Sequence, residues 1–252
     1  MENLLNFPLV IFVSALLLMW LSVQMGGGVI RRLHRAQDGE KEDLALLTNA
    51  SLTLLALVIA FSFSMAVNRY DQRKNYEEEE ANAIGTEYAR AGLLPAAEAA
   101  RVRRLLTQYL DQRLLFYTSR DADRLQQIDS ATSRLQSEMW SIVQAAATEH
   151  PTPPIVLAVS GMNDVLNRQG YTQAAWWNRI PLGAWGLMAV LAVCCSLLVG
   201  YGANRYRNVL SLVLPLILSL AFFLISDIDS PRGGVIRVLP QNLISLSQSL
   251  GK

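Results

Sequence analysis

From Leu44 the chain is apolar to Val67 and then continues, with no proline and no cluster of turn residues, into "NRYDQRKNYEEEE", which ends in glutamates 77 to 80. A helix satisfies its own backbone hydrogen bonds, so about 20 apolar residues in that form can cross the roughly 30 Å hydrocarbon core of a bilayer. A helix that goes on as arginines and glutamates must leave the membrane and be packed or solvated beyond it. Any fold of this chain has to house one helix in two surroundings.

Three further stretches have the length and apolarity of spans: Leu4 to Met25, Ile180 to Tyr201 and Val209 to Ile225. With Leu44 to Val67 they predict four membrane helices. The first lacks a basic leader and a small-residue cleavage site, so it reads as a retained span rather than a signal peptide. Before the third, "AAWWNRIP" places Trp176 and Trp177 where a headgroup belt favours aromatic rings, and Pro181 where a first helical turn tolerates proline. Composition agrees with a membrane protein: 52% of residues are hydrophobic and 17% charged, with a mean hydropathy of +0.24.

Other classes find no support. The 22 basic and 21 acidic residues nearly cancel, leaving no field that would draw nucleic acid. Cys194 and Cys195 are adjacent inside an apolar run and read as small packing residues, not as a disulfide framework or zinc ligands. With only His34 and His150, and no HExxH, GxSxG or phosphate-binding glycine loop, the chain offers no catalytic residues, cofactor site or metal site. It is read as a protein that is not an enzyme.

Between the second and third spans, residues 68–179 are patterned as helices. Leu125, Ile128, Leu135, Met139, Ile142 and Ala146 follow a three-four alternation broken only by Thr132. Pro95 to Tyr117 groups Val102, Leu105, Leu106 and Tyr109, and Pro154 to Arg168 groups Val159, Met162, Val165 and Leu166. "AGLLP", "TSRDAD" and "EHPTPP" separate these helices. No alternating strand pattern occurs, so the expected fold is all-α. Its expected parts are a first transmembrane hairpin (1–67), a helical extramembrane domain (68–179), a second transmembrane hairpin (180–225), and a C-terminal turn and short helix (226–252). Four spans put the N-terminus, the helical domain and the tail on one side of the membrane, and "GGGVIRRLHRAQDGEKED" and "GANRYRN" on the other. Arg31, Arg32, Arg35, Lys41, Arg205 and Arg207 in these short loops face Arg69, Arg73, Lys74, Arg168, Arg179, Arg232 and Arg237 on the opposite flanks. Charge alone does not decide the orientation.

At 100° per residue, Leu54, Leu57, Phe61, Ser64, Asn68, Gln72 and Asn75 fall within about 60° of one line. Two readings of this stripe stand. It is either a side packed against neighbouring helices, with Ser64 and Asn68 hydrogen-bonding across the interface, or the wall of a water-filled axis in an oligomer. In the second, Leu57 and Phe61 form a hydrophobic constriction and Ser64, Asn68, Gln72 and Asn75 hold water and ions. Glu77 to Glu80 cover a whole helical turn and read either as a solvated face or as an acidic ring at a pore mouth. Ala81, Ala83, Gly85 and Ala89 then permit close helix approach. Asp227 and Asp229 end the fourth span, at the pole of a helix that disfavours carboxylates, which calls for a partner such as Arg69 or Arg73, or a hard cation. Pro231, Gly233 and Gly234 turn the chain there.

The order of span, span, helical insert, span, span and tail resembles bestrophins, and more closely the bacterial bestrophin-like membrane proteins. "FSFSMAVNRYDQR", "DIDSPRGG" and above all "EEEEANAIGTEYARAGLLP" carry the resemblance. It implies a homo-oligomer, with five copies expected, in the bacterial inner membrane, whose central pore passes ions, with the insert and both termini cytoplasmic. Phe61 and Leu57 then fall on neck positions, Thr53 stands where a further apolar neck residue is expected, and Arg69 and Tyr70 follow the neck. Only Asp227 and Asp229 stand where bestrophins continue into a calcium-binding acidic cluster, so no metal site is read here. The expected function is an oligomeric ion channel with lipid, permeant ions and copies of itself as partners. The alternative is a membrane-anchored sensor or scaffold whose helical insert binds a partner protein.

Overall fold

The computed structural model describes residues 7–30, 38–202 and 212–251. Among them there are helices and no strand. The expected span starts at Leu4 and Val209, and the loop residues Arg31, Arg32, Arg35, Arg205 and Arg207, lie outside the described residues. The chain divides into two compact units: residues 1–70 with 179–237, and residues 71–178 with 238–252. Helix α2 runs unbroken from Asp38 to Arg90, 53 residues, or about 80 Å at the usual rise.

The first unit holds α1 (Pro8–Met25), the start of α2, α6 (Leu182–Gly202) and α7 (Val213–Asp229). Met19, Leu55, Met188, Ala192, Cys195, Phe222 and Ile225 form its core, and Phe12 meets Phe223 edge to face at 6.1 Å. Outside that core the surface stays apolar, with Leu9, Leu17, Val190 and Leu220 exposed, as hydrocarbon solvent requires and water would not. Three helical stretches are long and apolar enough to cross a membrane: Pro8–Val29, Glu42–Leu93 and Pro153–Gly202. In the second and third of these, the apolar part is the portion within the first unit. Helix α7, at 17 residues, packs on α1.

The loop expected from Gly26 is partly helical. Gly26–Ile30 is a π-helical turn continuing α1, and α2 is already under way at Asp38. Glycine here serves helix contact rather than turning. A Cβ on Gly26 would collide with the Leu197 carbonyl, and one on Gly200 with the Val23 carbonyl. Backbone lies on backbone along this α1–α6 seam, and only small residues allow that approach.

The second unit contains the rest of α2, then α3 (Ala96–Thr118), α4 (Ala122–Glu149), α5 (Pro153–Trp177) and α8 (Gln241–Ser249). Val102, Leu106 and Tyr109 from α3, Met139 and Val143 from α4, and Ala158, Met162 and Val165 from α5 are fully buried. Thr132, the polar break in the α4 pattern, is buried as well. Asp121 caps α4 by accepting the Arg124 amide at 2.8 Å. Helix α5 extends well past the expected Arg168, because Thr172, Ala175 and Trp176 carry its buried side onward. Trp176 is therefore not a headgroup residue. It packs inside the unit, 4.9 Å from the Phe116 ring and 5.4 Å from Tyr117, while Trp177 is exposed. Pro181 sits just before α6 and its carbonyl accepts the Ala184 amide at 3.0 Å.

Candidate functional site

Helix α2 keeps one side for its own chain and leaves the other bare. In the first unit, Leu55, Ser62 and Ala66 are buried, whereas Leu57 (51% exposed), Phe61 (64%), Ser64 and Asn68 are open. Stepping 100° per residue sets these two groups on opposite sides of the helix. In the second unit Arg73, Glu77, Glu80, Ile84 and Glu87 are buried and Asn75 lies across from them, exposed. Gln72 is exposed on the flank and donates to the Tyr76 hydroxyl at 3.4 Å. The stripe residues themselves carry no charge, but Asp71 stands exposed at the stripe's edge, about 20° from the Ser64 direction, with Glu78 and Lys74 exposed farther round.

The glutamate run does not form a solvated ring. Glu80 is fully buried and its carboxylate accepts from Arg113 Nε and, at 3.4 Å, from Arg113 Nη2. Thr172 Oγ1 at 3.1 Å and the Tyr117 hydroxyl at 3.4 Å complete its shell. The Arg113 guanidinium also lies 4.4 Å over the Phe116 ring. Burial, reinforced by the Glu80 charge, raises the Tyr109 and Tyr117 phenols far above their ordinary range, so both stay neutral. Burial, the largest single influence, would lower the Arg113 guanidinium; the Glu80 charge and hydrogen bond together with Tyr109 and Tyr117 more than offset it and raise the group.

Glu77, also buried, accepts from Asn242 Nδ2 at 2.7 Å and from the Leu243 amide at 3.0 Å. These groups open α8, whose N-cap residue Pro240 supplies no side-chain acceptor. Glu79 pairs with Arg168 at 2.5 Å, and Glu78 faces solvent. Four consecutive acids thus split into two anchors, one half-exposed pair and one free face. The one local signal was phase, which sets 73, 77, 80, 84 and 87 on one side of a helix but does not reveal what each acid there meets.

Arg69 Nη1 stands 4.0 Å from Asp229 Oδ1, and both Asp229 oxygens accept the Ile180 amide at 3.2 Å just ahead of α6. Asp227 accepts the Val235 and Ile236 amides, each at 2.8 Å, with Gly234 pressed against its carbonyl. Arg73 belongs to the second unit, where it donates to the carbonyls of Ala175 at 3.2 Å and Asn178 at 3.4 Å. The aspartates at the end of α7 hold backbone amides, which is how carboxylates at the unfavourable pole of a helix are stabilised. Among the described residues no group of three or more His, Cys, Asp or Glu is arranged to hold a metal ion.

Comparison with known proteins places this arrangement. Structures of a bacterial bestrophin homologue from Klebsiella pneumoniae superpose with a TM-score of 0.65 at 14% identity, covering 95% of this chain and 97% of that one. Another structure of that homologue gives 0.64 at 12% identity, over 95% and 98% of the two chains. At such identity the likeness is one of fold. None of the curated proteins matches the chain. The sequence profile of the Bestrophin-like domain matches residues 10–243, nearly the whole length, and the chain therefore belongs to the bestrophin-like family.

Proposed function

We propose that the protein is an ion channel of the bacterial inner membrane, built as a homo-oligomer of five copies around an axis lined by α2. The observation that carries this reading is the bare, uncharged stripe on α2, turned away from everything its own chain packs. Leu57 and Phe61 are apolar side chains in a membrane unit, yet they stand opposite that unit's core. Around a symmetry axis they form a neck that gates by dewetting, and Ser64, Asn68, Gln72 and Asn75 solvate ions beyond it. Membership in the bestrophin-like family and the fold shared with bestrophin homologues support the same reading.

In this assembly α1, α2, α6 and α7 are four spans, and the helical domain (68–179) lies on the cytoplasmic side with the N-terminus, the turn and the tail helix. Serine and asparagine groups accept either sign of ion, so selectivity is set by fields along the axis rather than by these groups alone.

The test is current or flux through liposomes holding the purified protein, together with its oligomeric state in detergent. Phe61→Ala with the oligomer intact is expected to raise conductance or change gating. A monomer with no axial cavity, or an oligomer that passes no ion, overturns the proposal and favours a membrane-anchored scaffold.

A further inference from the structure

Glu87, in the second unit, is the one residue on the buried side of α2 whose carboxylate no donor meets. It has no exposed surface, and neither oxygen has a hydrogen-bond partner. Its Oε2 occupies the space that a Cβ would fill on Gly161 of α5, and Arg90 Nη1 lies 2.8 Å from that same point. Glycine at 161 is what leaves room for the carboxyl.

The charged groups facing Glu87 are Arg90 on its own helix and Asp164 on α5. Both line a cavity of about 290 Å³ beside Gly161, together with Asn82, Thr86 and the paired Glu79 and Arg168. From α3, Arg103 is engaged by the Tyr88 carbonyl at 3.1 Å and the Tyr88 ring. With Glu87 ionised, the carboxylates of Glu79, Asp164 and Glu87 outnumber the guanidiniums of Arg90 and Arg168; with Glu87 neutral, the charges balance. A carboxylate withheld from water and from donors neutralises itself by taking a proton.

We propose that Glu87 is a proton-binding site that joins α2 to α5: it packs against Gly161 as the neutral acid, and release of its proton opens this seam. The proton passes to water through the adjoining cavity, and the charged side chain follows it out of the slot toward Arg90. Burial raises this carboxyl most, Arg90 opposes, Asp164 adds, and the group ends at about 8 instead of 4.5. The folded chain therefore keeps a proton that the unfolded chain gives up. Stability contributed by the seam is full below the unfolded value, declines as pH rises from about 4.5, and is spent by about 8. None of this depends on whether the protein conducts.

Infrared titration and amide hydrogen exchange of the full-length protein in detergent test the proposal. The wild type should show the carbonyl band of a protonated carboxyl that disappears with a midpoint near 8, and Glu87→Gln should lack it. Exchange in residues 83–90 and 158–165 should accelerate across that midpoint in the wild type and stay slow in Glu87→Gln. Gly161→Ala, which expels the carboxyl from its slot, should lower the midpoint by about one unit or more. A wild type with no carboxyl titrating above the ordinary range, a band that survives in Glu87→Gln, or a midpoint indifferent to Gly161→Ala overturns it. The wild-type titration and Gly161→Ala decide the matter even should the glutamine variant fail to fold.

Discussion

Glu77 Oε1 accepts the backbone amide of Leu243 at 3.0 Å, across 166 positions of sequence. A side chain on α2 thereby does for α8 what an N-cap residue ordinarily does for its own helix. Proline at 240 cannot cap, and Glu77 brings a full negative charge to the positive pole of α8. Leu243 is buried beneath it, and Leu246 closes over Gly85.

Removing that carboxylate should free α8 before it harms anything else. Glu77→Ala is expected to cost about 1–3 kcal/mol, the range for losing a buried hydrogen-bonding partner. Faster amide exchange in Gln241–Ser249, with α3 to α5 still protected, is the expected readout. Uniformly faster exchange throughout the unit would mean that the cap is not local.

The Glu80–Arg113 pair behaves differently, since both partners are buried inside the helical unit. Arg113→Met strands a buried carboxylate and should destabilise by about 3–5 kcal/mol. Glu80→Met combined with Arg113→Met should recover much of the loss, leaving chiefly the abandoned Tyr117 and Thr172 hydroxyls. Thermal unfolding of the two variants and the double variant measures the coupling.

How far the residues alone disclose this architecture depends on the range of each cause. Helix faces such as Ile128, Leu135, Met139 and Ile142 are legible because their period is local, and they are buried as that period requires. The family, too, is readable from "EEEEANAIGTEYARAGLLP" and the order of apolar segments. Glu77 and Glu80 are not, because four adjacent glutamates look solvated until Arg113 and Leu243 arrive from 33 and 166 positions away. Trp176 misleads for the same reason: a tryptophan beside an apolar run suits a headgroup belt, and only Phe116 and Tyr117 reveal its burial. Gly26 resembles a loop residue in isolation and becomes a contact residue only when α1 meets α6.

That seam predicts a steric outcome. Gly200→Val would drive its side chain into the Val23 carbonyl, and backbone atoms cannot step aside as a flexible side chain would. A loss of about 1–3 kcal/mol is expected, the usual penalty of overpacking. Thermal unfolding in detergent should show it, whereas Gly183→Val, where no atom lies within 4 Å of an added Cβ, should change far less.

On the bare stripe, charge should alter permeation and leave the fold alone. Asn68 is exposed, so Asn68→Asp and Asn68→Arg are each expected to shift stability by no more than about 0.5 kcal/mol. If α2 faces an axis, the aspartate should favour cations and the arginine anions, each by several-fold in the reversal potential measured under a salt gradient. Equal permeability ratios in both variants would remove the stripe from the conduction path.

The cap on α8 also sets an order of events during synthesis. Residues 71–80 emerge early, carrying Arg73, Glu77 and Glu80 already aligned on one side of a helix. Arg113 follows after 33 residues, Thr172 after 92, and the Leu243 amide only after 166. Until α8 is made, Glu77 waits without the group that satisfies it, so the helical unit closes last at its earliest segment. Long-range closures of this kind are slow steps in folding, and a chain ended before Asn242 would bear the defect at Glu77, far from the missing segment in sequence.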